Sequence, residues 1–283
     1  MITGDGKTYI KRYLAGQVPS IAQSIAFGLG TKVEAVGDTA LQFEVGRSPI
    51  ALTTYDFVNN KLLFKAAVDE KYAGAIYEVA LFSTPANTSA GEFSSRLLTT
   101  FDSGSEEWVD ASSGLAESYV SAPTRIGGDS LSHAPAPTTT KTSSLRSLFL
   151  DLSGYSNNDV FNFAYNVNNG NCSGISFKFL TDAANYYTIT LGAQTTGYKI
   201  VTAAKATAVP TGTPNWATIT EMQVATSASA VGAAQVDYDG IRMEDMDTIN
   251  PNYVMVSREL LGTPFIKEDG KVQDIEFSLD VSV

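Results

Sequence analysis

Ser130, in the run Gly128-Asp129-Ser130-Leu131, is the residue of this chain that most invites a chemical reading. A serine hydroxyl attacks a carbonyl only when a base takes its proton, and that base is most often a histidine oriented by a carboxylate. The chain has one histidine, His133, three residues on and inside a proline-rich stretch. No strand-turn-helix pattern surrounds the serine, as a nucleophile elbow would require. The run therefore reads as the entry to a strand.

Other candidates fail on counting. One histidine and one cysteine, His133 and Cys172, cannot build a zinc site or a thiol–imidazole dyad. Cys172 follows the turn-forming run Asn168-Asn169-Gly170-Asn171 and reads as a small residue at a turn. Gly28-Leu29-Gly30-Thr31-Lys32 lacks the spacing of a phosphate-binding loop and reads as a turn too. The carboxylates Glu106, Glu107, Asp110, Glu117 and Asp129 have the chemistry of a glycosidase acid and base. Adjacent glutamates on a strand face opposite sides, however, so they read as a solvated acidic loop. Asp237-Tyr238-Asp239-Gly240 looks like part of a calcium loop, to which Asp102 and Glu106 would add oxygens. Calcium takes six to eight of them, and the helix–loop–helix spacing is not completed.

Composition narrows the partners. Of 283 residues 43% are hydrophobic, so a sizeable core is expected, while only 17% are charged. Ser, Thr, Asn and Gln must then supply the polar surface, which suits sheets better than ion-paired helices. The formal net charge of −11 and the lack of a Lys/Arg cluster argue against nucleic acid. The first residues lack the apolar run of a signal peptide, and no stretch is long enough to span a bilayer. The expectation is a product made and folded in a cytoplasm, with no membrane partner.

Stepping along the chain, residues 5–17 carry the one helical pattern, with Tyr9, Ile10, Tyr13 and Leu14 on a face and Gly16 as a stop. Alternation predicts strands at 25–29, 41–45, 61–68 and 72–82. A Ser/Thr/Ala/Pro/Gly-rich linker follows at 83–95. A second unit then holds strands at 97–101, 145–152, 161–167, 174–180, 186–191, 198–201, 218–224 and 236–243. Within it, 132–144 reads as a Pro/Thr-rich loop with little reason to pack. After a loop at 245–252, short strands are expected at 253–258 and 264–267, then a hairpin at Asp269-Gly270. The final segment alternates without a fault, Ile275, Phe277, Leu279, Val281 and Val283 against Asp274, Glu276, Ser278, Asp280 and Ser282. It echoes the pattern of residues 64–81, which assigns it to the N-terminal unit. The expected fold is all-β: two β-sandwich units, a jelly roll over 96–244 inserted into a domain of 1–95 plus 245–283 with one short N-terminal helix.

Three stretches of the middle unit resemble the galactose-binding-like jelly rolls of carbohydrate-binding modules. They are Phe101-Asp102-Ser103-Gly104-Ser105-Glu106-Glu107-Trp108, Pro214-Asn215-Trp216-Ala217-Thr218-Ile219-Thr220 and Val236-Asp237-Tyr238-Asp239-Gly240-Ile241-Arg242-Met243. Asn215 stands where that family has an aspartate. The resemblance implies a structural calcium carried by Asp102 and Asp239, and no other cofactor. It also implies sugar stacking on exposed aromatics, for which Trp108, Tyr155, Tyr186 and Tyr187 are the candidates, against core packing as the alternative for Trp108 and Trp216.

The flanks resemble structural proteins of tailed-bacteriophage virions, particularly of cyanobacterial myoviruses. The residues that carry this are the short helix with Ile25-Ala26-Phe27-Gly28 and the alternating C-terminal strand. The resemblance implies a non-enzymatic, homo-oligomeric particle component: head decoration, neck, baseplate or fibre part. It would be assembled in the host cytoplasm, dock onto other virion proteins through its N/C-terminal domain and display the jelly roll. The alternative is an adhesin whose jelly roll grips a host surface glycan.

Overall fold

The computed structural model of the chain describes residues 1–69, 72–84, 96–103, 106–121, 124–245 and 254–280. Of the linker expected at 83–95, residues 85–95 lie outside them, as do most of the loop at 245–252 and Val281 to Val283, while Ser83 and Thr84 are buried. The chain divides into two compact units, Met1–Ser94 with Arg125–Gly127 and Thr248–Val283, and Ser95–Thr124 with Gly128–Asp247. Among the described residues the fold is all-β apart from one α-helix and two short 3-10 turns. No helix among the described residues is long and apolar enough to cross a membrane.

The first unit comprises α1 (Gly4–Leu14), β1 (Ser24–Gly28), β2 (Glu44–Asp56), β3 (Lys61–Val68) and β4 (Gly74–Phe82). After the strands of the second unit it closes with β17 (Met255–Lys267) and β18 (Gln273–Asp280). The strand order is β17-β4-β1-β2-β3-β18. β2 turns the corner: its start pairs with β1 up to Pro49, and from Ile50, across a bulge, it pairs with β3. A strand that changes partner at a bulge lets one chain contribute to two packed layers. Ile275, Phe277 and Leu279 of β18 are buried with Phe27, Phe64, Ile76 and Val79, so the alternation of the last strand points inward as read.

Thr3 caps α1 by accepting the Gly6 amide at 2.8 Å. The helix packs on β17 through Gly6, where a Cβ would lie 2.0 Å from the Val256 carbonyl oxygen. Two expectations change here. Leu41 and Phe43 are buried but precede the strand, which begins at Glu44, because the amides of Gln42 and Phe43 donate to the Glu78 carboxylate and not to a ladder. The two short strands expected at 253–258 and 264–267 are one, β17, whose register against β4 shifts between Leu260 and Phe265.

The second unit holds β5 (Arg96–Thr99), β6 (Trp108–Asp110), β7 (Tyr119–Val120), β8 (Ser130–His133), β9 (Thr140–Leu145) and β10 (Val160–Val167). It continues with β11 (Cys172–Asp182), β12 (Asn185–Gly192), β13 (Gly197–Ala204), β14 (Val209–Thr211), β15 (Glu221–Ala228) and β16 (Val236–Glu244). One sheet runs β13-β10-β16-β8-β7, with β5 also on β16, and the other runs β14-β12-β11-β15-β9-β6. Between them lies an aromatic-rich core in which Phe163 stacks on Phe177 at 4.0 Å and Phe161 on Phe179 at 4.8 Å.

The stretch 132–144 corrects the loop reading. It supplies the end of β8 and most of β9, and His133, Ser143 and Ser144 are fully buried. Its buried polar side chains are hydroxyls and an imidazole, of which His133 and Ser143 bond each other, so no apolar period marks it. Conversely, the strand expected at 145–152 ends at Leu145, and Phe149 beyond it is 98% exposed. The strand expected at 218–224 begins at Glu221, because Trp216–Thr218 is a 3-10 turn whose Ala217 amide Asn215 caps at 3.0 Å.

Candidate functional site

Ser130 sits on β8 with no exposed surface, and its hydroxyl meets Thr124 at 3.1 Å. His133 does not face it. Its Nδ1 lies 3.0 Å from Thr226 Oγ1 and its Nε2 2.6 Å from Ser143 Oγ. Ser143 in turn donates to Glu117, which also pairs with Lys141 at 2.9 Å. Serine, histidine and glutamate are thus adjacent, but in an order that suits no hydrolase. The acid holds the serine, the far imidazole nitrogen meets a threonine, and both Ser143 and His133 are inaccessible. Burial lowers the imidazole pKa to about 3, which makes it a poor base at neutral pH.

Of the acidic residues proposed for acid–base or calcium chemistry, Glu107 is exposed, while those that follow are engaged by protein donors. Glu106 accepts from Trp108 Nε1 at 2.9 Å, from the amides of Thr100 at 3.0 Å and Phe101 at 3.2 Å, and from the Thr99 hydroxyl. Asp110 accepts from the Ser112 and Ser113 amides, both at 2.9 Å, and from Lys141 at 2.6 Å, which holds its carboxyl far below the usual range. Asp129 accepts from the Ser103 amide at 2.8 Å. Of the two expected calcium carriers, Asp102 accepts from the Gly128 amide at 3.0 Å, whereas Asp239, fully buried, accepts from the Tyr198 hydroxyl. No cluster of three or more His, Cys, Asp or Glu side chains with metal-binding geometry occurs among the described residues.

The four aromatic candidates separate by position. Trp108 is 2% exposed and stacks on Phe101 at 4.6 Å, so it is a core residue and its ring faces are not available to a sugar. Tyr187 lies flat on Trp216, 3.8 Å apart and 5° from parallel, and its hydroxyl donates to the Pro214 carbonyl at 2.9 Å. Tyr155 packs against the same core. Its carbonyl and that of Leu152, the latter at 2.9 Å, accept from the buried ammonium of Lys205, which stands 5.3 Å over the Trp216 ring. Burial lowers the Lys205 pKa, against the pull of Asp159 and Asp151. Nothing in the sequence marks Lys205 as an internal cation; a lysine beside a strand end is ordinarily solvated.

Tyr186 alone of the four projects from the outer face of a sheet, because β12 turns Tyr187, Ile189 and Leu191 inward. It is partly exposed, with the Lys178 ammonium 4.6 Å over its ring. Register places Thr188 and Gln223 on either side of Lys178, and Gln223 Nε2 donates to Glu221 at 2.7 Å. Ser176, Thr190, Ala225 and Thr142 continue the same face. The result is a partly exposed platform of hydroxyls and amides with one aromatic, one cation and one carboxylate. Each of these groups can hydrogen-bond or stack without forming a covalent bond.

No protein-family profile matches the sequence, and no curated protein does. Solved structures with a similar chain path include the family 11 carbohydrate-binding module of cellulase Lic26A-Cel5E from Clostridium thermocellum, at 12% identity and a TM-score of 0.42, covering 54% of this chain and 95% of that one. A carbohydrate-binding module specific for non-crystalline cellulose matches at 14% identity and a TM-score of 0.33, covering 53% and 94%. The agarase AgWH50C matches at 12% identity and a TM-score of 0.37 over 56% of this chain. This chain spans about a quarter of the glycoside hydrolases it matches, from 22% to 26% of their lengths. At these identities and scores none of them assigns a ligand or an activity to this chain.

Proposed function

We propose that the second unit is a non-catalytic glycan-binding module, and that the outer face of its β14-β12-β11-β15-β9-β6 sheet is the binding surface. The observation that carries this is Tyr186 on an accessible, hydroxyl- and amide-rich sheet face beside Lys178, Thr188, Gln223 and Glu221. A sugar ring offers an apolar face to an aromatic and hydroxyls to flanking amides and carboxylates, and this face supplies both. The engaged state of Ser130, His133, Glu106 and Asp110 supports binding without turnover. The test is titration calorimetry and affinity electrophoresis of the full chain against neutral and acidic polysaccharides. Binding is expected for at least one class, and Tyr186→Ala should weaken it about tenfold, as loss of one stacking contact worth ~1–1.5 kcal/mol requires. Equal retention of wild type and Tyr186→Ala by every glycan would refute the surface.

The reading of the chain as a repeated subunit of a tailed-phage particle rests on the resemblance of its flanks alone. Mass spectrometry of purified particles tests it directly, and absence of the chain from them would end that reading.

A further inference from the structure

The turn Asn168-Asn169-Gly170-Asn171 joins β10 in one sheet of the second unit to β11 in the other. Its two outer residues are bonded to the rest of the unit. The Asn168 amide donates to the Gln235 carbonyl at 2.9 Å, and its carboxamide donates to Asp237 at 2.5 Å. The Asn171 carboxamide donates to the Ala233 carbonyl at 3.1 Å, and the Asn171 carbonyl accepts from the Ser229 amide at 2.8 Å. The Asn166 carboxamide, just before the turn, donates to Asn168 Oδ1 at 2.5 Å.

The two inner residues differ. Asn169 Oδ1 accepts from the Asn171 amide at 3.2 Å. Neither Asn169 Nδ2 nor the Gly170 amide has a hydrogen-bond partner among the described residues. Gly170 is exposed and Asn169 half-buried, so water reaches the pair. Asn169 is also the one asparagine of the chain that precedes a glycine. A carboxamide bonded to the amide two residues on is folded over the nitrogen between them, which here is that of Gly170. The nucleophile, the Gly170 nitrogen, has no bond to break and no β-carbon beside it. The electrophile, Asn169 Cγ, is held over it. The Asn171 N–H faces the oxygen on which negative charge develops, as an oxyanion donor does. The leaving nitrogen is tied to nothing.

We infer that Asn169 is a site of self-catalysed deamidation. Hydroxide takes the proton of the Gly170 amide, and the nitrogen attacks Asn169 Cγ. The new C–N bond closes a succinimide as the Cγ–Nδ2 bond breaks. The departing nitrogen takes a proton from water and leaves as ammonia, which regenerates hydroxide. Water then adds to one imide carbonyl and opens the ring to aspartate or isoaspartate. No oxidant, metal or cofactor enters. An aspartate accepts from the Asn171 amide as the carboxamide does, so it keeps the turn. Isoaspartate adds a methylene to a backbone fixed on both sides. The reaction needs no ligand and stands apart from glycan binding.

The test incubates the full chain at neutral and mildly alkaline pH, both folded and in urea, and follows each asparagine by peptide mapping with mass spectrometry. Conversion is expected at Asn169 ahead of every other asparagine, and faster at the higher pH. It should run at least as fast in the folded chain as in urea, because the fold holds the reacting groups together. Gly170→Ala should slow it about tenfold, since a β-carbon crowds the attacking nitrogen. An added Cβ there meets nothing within 4 Å, so the circular dichroism spectrum should not change. An Asn169 that stays intact, modification first at another asparagine, a faster reaction in urea, or an undiminished rate in Gly170→Ala would each overturn the inference.

Discussion

His133 shows how a residue that suggests catalysis is used for folding. A carboxylate paired with Lys141 only accepts, so Ser143 donates to Glu117 and must accept from His133 Nε2. In a neutral ring Nδ1 accepts from the Thr226 hydroxyl, whose oxygen can accept from Tyr238. A neutral imidazole thus completes the chain of bonds, in line with its lowered pKa. In the unfolded chain His133 takes a proton below its ordinary pKa of 6.5, whereas the native state takes one only near 3. Within that window the unfolded state binds more protons, so stability falls as the pH drops, by at most ~1.4 kcal/mol per pH unit. Urea unfolding between pH 6.5 and about 4.5, above the carboxylate range, should show this slope. His133→Gln should be less stable at neutral pH but flat across the window; an equal slope in the variant would contradict the assignment.

Among the elements, the junction of β1, β4 and β17 is decided by one buried ionic cluster. Arg258 is 1% exposed at its side chain and pairs with Glu78 at 2.8 Å and Asp38 at 2.7 Å. Glu78 also accepts the amides of Gly30 at 2.9 Å, Gln42 at 3.1 Å and Phe43 at 2.9 Å, so it draws the segment after β1 against the sheet. Gly28-Leu29-Gly30, expected to be a turn, instead ends β1 at Gly28 and runs on in irregular extended chain, and its glycines serve close approach. A Cβ on Gly30 would sit 2.3 Å from Glu78 Oε1. Gly30→Ala should therefore destabilise the unit by ~2–4 kcal/mol, as displacing a buried charged acceptor does. Gly154→Ala, where an added Cβ meets nothing within 4 Å, is the neutral control. Thermal unfolding of both variants checks this; equal midpoints would show that the carboxylate yields without cost.

At the scale of the whole molecule, the second unit has its own core, with Phe101, Trp108, Phe163, Phe177 and Tyr238 among its buried residues. A fragment of residues 95–247 should fold alone, with a cooperative melt and dispersed amide resonances, because no part of that core is drawn from the other unit. A fragment that stays unfolded or aggregates would show that the outer segments are required. Glycan binding carried by Tyr186 and Lys178 should persist in the fragment.

The sequence by itself determined the strand-rich character, the helix near the N-terminus and the inward face of β18. These rest on local period and turn chemistry, which a chain carries residue by residue. It also showed that Ser130 lacks a distant histidine, which is a matter of counting. Only the tertiary structure decided that 140–145 is a strand with a buried end, since the buried Ser143 hydroxyl is satisfied by Glu117 and His133, which no local pattern pairs with it. It alone separated Tyr186 from Tyr187, adjacent residues that a strand sends to opposite faces, one to the sheet surface and one onto Trp216. And it alone revealed that β2 runs on past Pro49 as an open edge, because which side of a strand is covered depends on neighbours that no local pattern names.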